Sequence, residues 1–232
     1  MLTNHVIWPN LSPLNKRVKN FIKYHLEEVM RVLLKTTIVI LLCSIASIQA
    51  ETRPLIEGTD YQVMAPKGSK TPEVLEFFSY ACGHCYTMES FITQFKKDNN
   101  GIKVVPVPMD LGNPQWQIYV KAFYLGELLK VLDKSHTKLF HRVNIEKKPI
   151  TKEKELKAFF LSLGVESSKY DGALKSFSLD AKIRKSKQLA RQFQVIGTPT
   201  FVTNRRFKLD NRELGTTEMI EKALVDLTKT SL

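Results

Sequence analysis

The chain has 232 residues, 43% of them hydrophobic and 25% charged, a composition typical of one or two globular domains rather than a disordered or fibrous protein. Its formal net charge is +12. Because the basic residues are scattered and no nucleic-acid-binding motif accompanies them, we interpret this charge as a solvated surface and expect no nucleic-acid partner.

Residues 30–50 have the pattern of a secretory signal peptide. Arg31 and Lys35 supply a positive start, and an apolar stretch of 13 residues follows at 36–48. This stretch is shorter than an ordinary membrane-spanning helix. We therefore expect export, removal of the signal and no stable membrane span afterwards, with an uncleaved anchor as the alternative.

The small residues Ala46 and Ala50 place the expected cleavage near residues 46–50. Met30 would be a natural start for such a signal, so we interpret residues 1–29 as an upstream extension or a mis-assigned start. The third cysteine of the sequence, Cys43, would leave with the signal. Export also places the remaining chain in an oxidising compartment.

The first elements of the remaining chain alternate between strand and helix patterns. Residues 60–64 suggest a short edge strand, and the continuous apolar run at 74–79 is typical of a central strand covered on both faces. Apolar residues at helical spacing follow as far as Phe95. The strand pattern at 102–108 contains two prolines, which confine it to an edge or a strand end.

The second half of the chain is first helical and then returns to strands. Helical patterns fill residues 113–193, and a hairpin is predicted from 200–203 and 206–209, with a last amphipathic helix at 217–229. The hairpin turn at Asn204–Arg205 is imperfect, because arginine tolerates a positive φ poorly. This order predicts an α/β protein in which a small domain, residues 51–112 and 194–232, is interrupted by an all-helical insertion, residues 113–193.

The strongest chemical signal is the sequence Cys82-Gly83-His84-Cys85, which lies between the central strand and the following helix. A thiol at a helix N-terminus faces unpaired N–H groups and the positive end of the dipole, which favour the thiolate. No second ligand pair completes a zinc site, and Tyr86 stands where a c-type haem motif needs histidine. A redox-active pair is therefore favoured over metal binding completed by a partner, or over an inert pair.

A second signal is Thr198-Pro199, where a proline after a β-branched residue opens a strand and is a candidate cis bond. Together with the C-x-x-C pair, this pattern resembles the thioredoxin fold. The helical insertion and the run from Val74 to Tyr86 resemble the DsbA family of bacterial periplasmic thiol:disulfide oxidoreductases. The resemblance covers about residues 55–230, and it implies a thioredoxin fold interrupted by an all-helical insertion and a periplasmic location.

The resemblance implies a role for each matched residue. Cys82 would be the exposed nucleophile and Cys85 the buried resolving thiol, and His84 would help to stabilise the Cys82 thiolate. The acid matched by Glu76 assists proton transfer at the buried cysteine in this family. The family often has a lysine near this acid, whereas this sequence has Pro106 at about that position, with Lys103 nearby.

The resemblance also implies how clients and partners are used. Thr198 and Pro199 would lie beside the redox pair, and the Thr198 backbone would pair with an extended client. Clients would be reduced, folding exported proteins, and a membrane partner of the DsbB type would reoxidise the enzyme. The Cys82–Cys85 disulfide would be the only redox group, with no other cofactor and no metal.

Two features leave other functions open. Gly-His between the cysteines is the dipeptide of protein disulfide isomerase, and Thr-Pro is common in isomerases and reductases, so disulfide isomerisation or reduction is an alternative to oxidation. A less favoured alternative is a metal-binding or client-binding chaperone.

Overall fold

The computed structural model describes residues 17, 20, 21, 23–31, 33 and 53–230. The chain divides into two units, residues 1–51 and 52–232. In the first unit the described residues are helical and exposed. The predicted apolar stretch at 36–48 and the cleavage near 46–50 lie outside the described residues. No helix among the residues described is long and apolar enough to cross a membrane.

Within residues 53–230 the strands form one five-stranded mixed sheet in the order β1-β5-β4-β2-β3. Both predicted edge strands, β1 and β3, lie at the edges, and β2 lies between β3 and β4. Its neighbours run parallel (β3) and antiparallel (β4) to it. The strands are β1 (Tyr61–Val63), β2 (Glu73–Phe78), β3 (Lys103–Pro108), β4 (Thr200–Thr203) and β5 (Phe207–Leu209).

The helices follow the predicted order, with one helix before β3, a run of helices between β3 and β4, and one long helix at the end. A short 3₁₀ turn, Pro114–Trp116, is capped by Asn113 and opens the run. The helices are α1 (Gly83–Asp98), α2 (Gln117–Leu128), α3 (Leu132–Asn144), α4 (Glu153–Ser162), α5 (Ser167–Leu174), α6 (Phe177–Gln192), α7 (Asn211–Leu214) and α8 (Thr217–Lys229).

All six residues of β2 are buried, and alternate side chains enter different parts of the core. Val74 packs with residues of α1 and α8, whereas Leu75 and Phe77 pack with residues of α6 and β3 on the opposite face. Phe78, at the end of the strand, joins the core of the helical insertion. The central strand therefore connects the sheet to the insertion.

The turn between β4 and β5 forms in spite of its arginine. Asn204 and Arg205 both have positive φ, at 48° and 53°. The Arg205 Nε donates to the Glu73 carboxylate at 2.6 Å, and the Asn204 amide bonds the Glu73 N–H at 3.0 Å and the Thr228 carbonyl at 2.7 Å. These side-chain contacts offset the unfavourable backbone conformation, and they explain why a sequence with a poor turn signal forms a hairpin.

The junction of α2 and α3 depends on the absence of a side chain at Gly126. A Cβ atom there would lie 2.5 Å from the Ser135 Oγ and 3.3 Å from Leu132 Cδ1. Ser135 is buried, and its hydroxyl donates to the Leu132 carbonyl. The helical residue Gly172 in α5 differs, because nothing lies within 4 Å of its Cβ position.

We expect Gly126→Ala to lower the free energy of unfolding by about 1–2 kcal/mol, because the steric cost exceeds the gain in helix propensity. Gly172→Ala should raise it by about 0.5–1 kcal/mol, since only the propensity changes. Urea unfolding of both variants measures this. Equal effects of the two substitutions would show that packing at Gly126 is not the reason for the glycine.

Candidate active site

The Cys82 sulfur is the N-cap of α1. Cys82 has extended backbone angles, φ −94° and ψ 114°, and its Sγ accepts a hydrogen bond from the Cys85 N–H at 3.4 Å. The turn before it is closed by the Cys82 N–H, which donates to the Ser79 carbonyl at 3.0 Å. Because the first N–H groups of a helix have no partner within the helix, the sulfur occupies a site that favours negative charge.

The two thiols, both free in the structure, differ in burial and acidity. Cys82 is half-buried. The Cys85 thiol, the nearby Thr198 side chain and the N–H groups of Cys85 and His84 lower its pKa from 9.0 to about 5, against the effect of partial burial. Cys85 is 1% exposed, and its pKa is raised because its thiol donates to Cys82 and because it is buried.

Thr198 and Pro199 lie beside the sulfur of Cys82, as predicted, and the bond between them is cis. The Cys82 thiol lies 3.4 Å from the Thr198 carbonyl oxygen, to which it donates when protonated. The Thr198 hydroxyl is buried without a well-aligned hydrogen-bond partner among the described residues, yet it is close enough to both sulfurs to lower their pKa values. The Pro199 carbonyl accepts from the Asn211 amide at 3.0 Å.

His84 is exposed near the start of α1. Its backbone N–H contributes to lowering the pKa of Cys82. Among the described residues its imidazole makes no hydrogen bond to either sulfur, and its carbonyl accepts from the Thr87 hydroxyl at 2.9 Å. The structure thus places the His84 backbone, rather than its ring, against the Cys82 sulfur.

Glu76 lies in the middle of β2 and is 3% exposed. Its register partners are Pro106 on β3 and Phe201 on β4, whereas Lys103 is opposite Glu73. Burial and, to a smaller extent, the nearby charge of Glu89 raise the pKa of Glu76 to about 8, against the opposing effect of Lys96. Glu76 is therefore protonated at neutral pH. It has no lysine opposite it, unlike the acid at the matching position in many members of the family that the sequence resembles.

Several residues that form hydrogen bonds around this site were not indicated by the sequence. Asn144, the last residue of α3, donates its amide to the Tyr80 carbonyl at 2.9 Å. Tyr80 in turn bonds His136, and Asn211 holds the Pro199 carbonyl. Asn144, His136 and Asn211 are distant from the motif in sequence, and no local pattern marks them. No group of three or more histidine, cysteine, aspartate or glutamate side chains suited to a metal ion occurs in the part of the chain that is described.

At this helix N-terminus one thiol has a lowered pKa and the other a raised pKa. Such a pair is suited to the exchange of a disulfide between protein thiols. The fold and this pair define a thiol:disulfide oxidoreductase of the thioredoxin type. Comparisons with known proteins agree. The model of a DSBA-like thioredoxin domain matches residues 117–221, a range that begins after the cysteine pair.

Two curated relatives and one solved structure show which group of thiol:disulfide oxidoreductases the chain is similar to. The thiol:disulfide interchange protein DsbA of Bordetella parapertussis is 30% identical over 176 residues, which cover 71% of this chain and 82% of that protein. DsbA of Haemophilus influenzae is 26% identical over 186 residues, covering 77% and 88%. The crystal structure of Pseudomonas aeruginosa DsbA superposes with a TM-score of 0.68 at 27% identity, covering 76% of this chain and 94% of that one.

The chain belongs to the DsbA family of thiol:disulfide interchange proteins. The predicted fold class, α/β with a helical insertion in a thioredoxin fold, is confirmed. The predicted enzyme class is confirmed as well: the protein is a thiol:disulfide oxidoreductase of the kind that introduces disulfide bonds.

The reduced protein should show a thiolate whose ultraviolet absorbance titrates with a midpoint near pH 5. Cys82→Ser should remove this transition. Cys85→Ala should raise the midpoint, because the largest stabilising donor is lost while the backbone N–H groups remain. An unchanged midpoint in Cys85→Ala would show that the thiol–thiol hydrogen bond is not the main cause of the acidity.

The raised pKa of Glu76 predicts a pH-dependent contribution to folding. A carboxyl group titrating near 4.5 when unfolded and near 8 when folded stabilises the fold below pH 4.5, and this contribution is lost as the pH rises through 8. Relative to the wild type, Glu76→Gln should therefore gain on the order of 4 kcal/mol between pH 4.5 and 8. Urea unfolding across this range measures the difference, and parallel curves would contradict the assignment.

Proposed function

We propose that Cys82 and Cys85 carry out the exchange, with Cys82 as the sulfur that client thiols attack. The observation that supports this assignment most directly is the asymmetry of the pair. Cys82 is accessible and has a pKa of about 5, whereas Cys85 is buried with a raised pKa. A sulfur with the lower pKa is the better leaving group in a mixed disulfide.

In the oxidising direction, a client thiolate attacks the Cys82 sulfur of the Cys82–Cys85 disulfide. The new bond joins the client to Cys82, and Cys85 leaves with the electron pair and takes up a proton. A second client thiolate then attacks the first client sulfur, and Cys82 leaves as a thiolate. The client loses two electrons and the cysteine pair gains them, so the client now contains the disulfide.

Cys85 needs a proton when it leaves, because its raised pKa makes the free thiolate unfavourable. Glu76 is a suitable source, since burial keeps it protonated at neutral pH. It lies two residues before Phe78, on the same face of β2, and Phe78 packs in the core cluster that contains Cys85. We therefore assign Glu76 to proton transfer at the buried cysteine, either directly or through water.

The direction of net reaction follows from the stabilised Cys82 thiolate. Hydrogen bonds that favour the thiolate favour the reduced pair over the disulfide, and a disulfide whose reduced form is stabilised is a stronger oxidant. In this structure that stabilisation comes from Cys85, Thr198 and the backbone of His84. The Gly-His dipeptide is therefore compatible with oxidation of clients.

Client binding is assigned to the loop that contains the cis-proline. No described hydrogen bond involves the Thr198 N–H, and β4 begins two residues later, so an extended client segment could add to this edge. Ile196, in the same loop, is 95% exposed and offers an apolar contact. The clients we propose are reduced, folding exported proteins in the periplasm, after removal of residues 30–50, with a DsbB-type membrane protein as the reoxidant.

The oxidised protein should convert a reduced test protein to its disulfide form, and Cys82→Ser should abolish this activity. Given a client that already contains a disulfide, Cys85→Ser should accumulate a mixed disulfide: the Cys82 thiolate attacks the client disulfide and releases one client thiolate, and no Cys85 thiol is present to release Cys82. Non-reducing electrophoresis with mass measurement detects both results. In the full-length chain, from which the signal has not been removed, Cys43→Ser is the matched control and should leave the activity unchanged.

Oxidase activity retained by Cys82→Ser would end this proposal. The isomerase alternative is tested with the same preparations by recovery of activity from scrambled ribonuclease, together with the equilibrium potential of the pair. A potential near about −120 mV marks a donor of disulfides, whereas one near about −270 mV, the value of thioredoxin, marks a reductant.

A further inference from the structure

A hydrogen-bonded chain of three side chains joins the helical insertion to both sides of the cysteine motif. The Tyr80 hydroxyl lies 2.7 Å from the His136 Nδ1, and the His136 Nε2 lies 3.2 Å from the Glu89 carboxylate. Tyr80 precedes the motif, Glu89 lies on α1 one turn after Cys85, and His136 belongs to α3. We refer to these residues as the Tyr80–His136–Glu89 chain.

We propose that His136 is a positioning residue for disulfide exchange: by holding Tyr80 and Glu89 together, it fixes the turn that presents Cys82. This inference rests on the proposed role of Cys82. It concerns a residue of the insertion that has no described hydrogen bond to either sulfur.

The turn before Cys82 shows why Tyr80 matters. The Cys82 N–H donates to the Ser79 carbonyl at 3.0 Å, and the Ala81 N–H donates to the Ser79 hydroxyl at 3.3 Å. Tyr80 is therefore a central residue of this four-residue turn. Whatever fixes Tyr80 also limits the movement of the Cys82 backbone.

Helix α3 holds Tyr80 at two points. His136, near the start of the helix, bonds the side chain, and Asn144, at its end, donates to the Tyr80 carbonyl at 2.9 Å. Tyr80 is only 1% exposed, and its hydroxyl has no other described partner. The insertion thus secures both the main chain and the side chain of one residue in the turn.

The protonation states are mutually consistent. Burial and the nearby charges of Glu89 and Glu76 raise the pKa of Tyr80, so its hydroxyl keeps its proton and donates to Nδ1. The His136 Nε2–H then donates to the Glu89 carboxylate, so both ring nitrogens have a partner. Three further aromatic rings pack against the His136 ring: Phe78, Phe123 and Phe140, with ring centroids 5.0–5.9 Å away.

The same chain influences the charge around the buried acid. Glu89 is the carboxylate that raises the pKa of both Glu76 and Tyr80, and Lys96 is the opposing charge at Glu76. His136 holds the Glu89 carboxylate in place by donating a hydrogen bond to it from Nε2. Its loss would therefore leave Glu89 without this partner and loosen the turn, and a looser turn presents fewer N–H groups to a thiolate at Cys82.

The test uses ultraviolet titration of the reduced protein, which reports on Cys82 without requiring a client. In His136→Phe, which keeps an aromatic ring but removes both hydrogen bonds, the Cys82 midpoint should rise by about half a pH unit or more, a roughly threefold weaker acid. His136→Gln retains a donor and an acceptor, and it should restore part of the shift. His141→Gln is the matched control, because His141 lies on the same helix but forms a half-exposed pair with Glu146.

Tyr80→Phe removes a single hydroxyl and keeps the test decisive if His136→Phe does not fold. It should shift the midpoint in the same direction, and the double variant should shift it no further than His136→Phe alone, because the residues act as one chain. An unchanged midpoint in folded His136→Phe or Tyr80→Phe, or a shift of equal size in His141→Gln, overturns the proposal. A wild type without oxidase activity would refute the proposed function but would leave this titration unaffected.

Discussion

The contact on which the site depends is the hydrogen bond between the first turn of α1 and the Cys82 sulfur. Every helix leaves its first N–H groups without partners within the helix, and most helices satisfy them with an oxygen from serine, threonine, aspartate or asparagine. Here the acceptor is sulfur, and a sulfur accepts better when it is negatively charged. The need of the helix for a cap and the need of the reaction for a thiolate are therefore met by the same atom.

The sheet explains why the second cysteine behaves so differently. Because β2 has a neighbour on each side and is covered on both faces, the helix that follows it must turn one side into the core. Cys85 lies on that side, three residues after Cys82, and cannot keep a charge. The chemical difference between the two thiols is thus a consequence of where a doubly covered strand meets a helix.

Much of the fold was predictable because its signals are local. The apolar run of β2, the prolines of β3, the spacing of α8 and the Cys82–Cys85 pair are each readable within a few residues, and Thr198-Pro199 was recognised from its strand context. The partners of the site were not predictable in this way. His136 meets Tyr80 across 56 positions, and Arg205 meets Glu73 across 132, and only the assembled fold brings such residues together. The charges around Glu76 could not be predicted from the sequence either, because Glu89 and Lys96, rather than Lys103, are the ones that shift its pKa.

The opposite pKa shifts of Cys82 and Glu76 have a thermodynamic consequence for the redox cycle. In the reduced protein, the Cys82 thiolate adds stability as the pH rises from about 5 towards 9, while Glu76 removes stability up to about 8, so the two effects partly cancel. A disulfide at Cys82 leaves no thiolate there. The stabilising contribution that grows as the pH rises from about 5 towards 9 is therefore a property of the reduced fold alone.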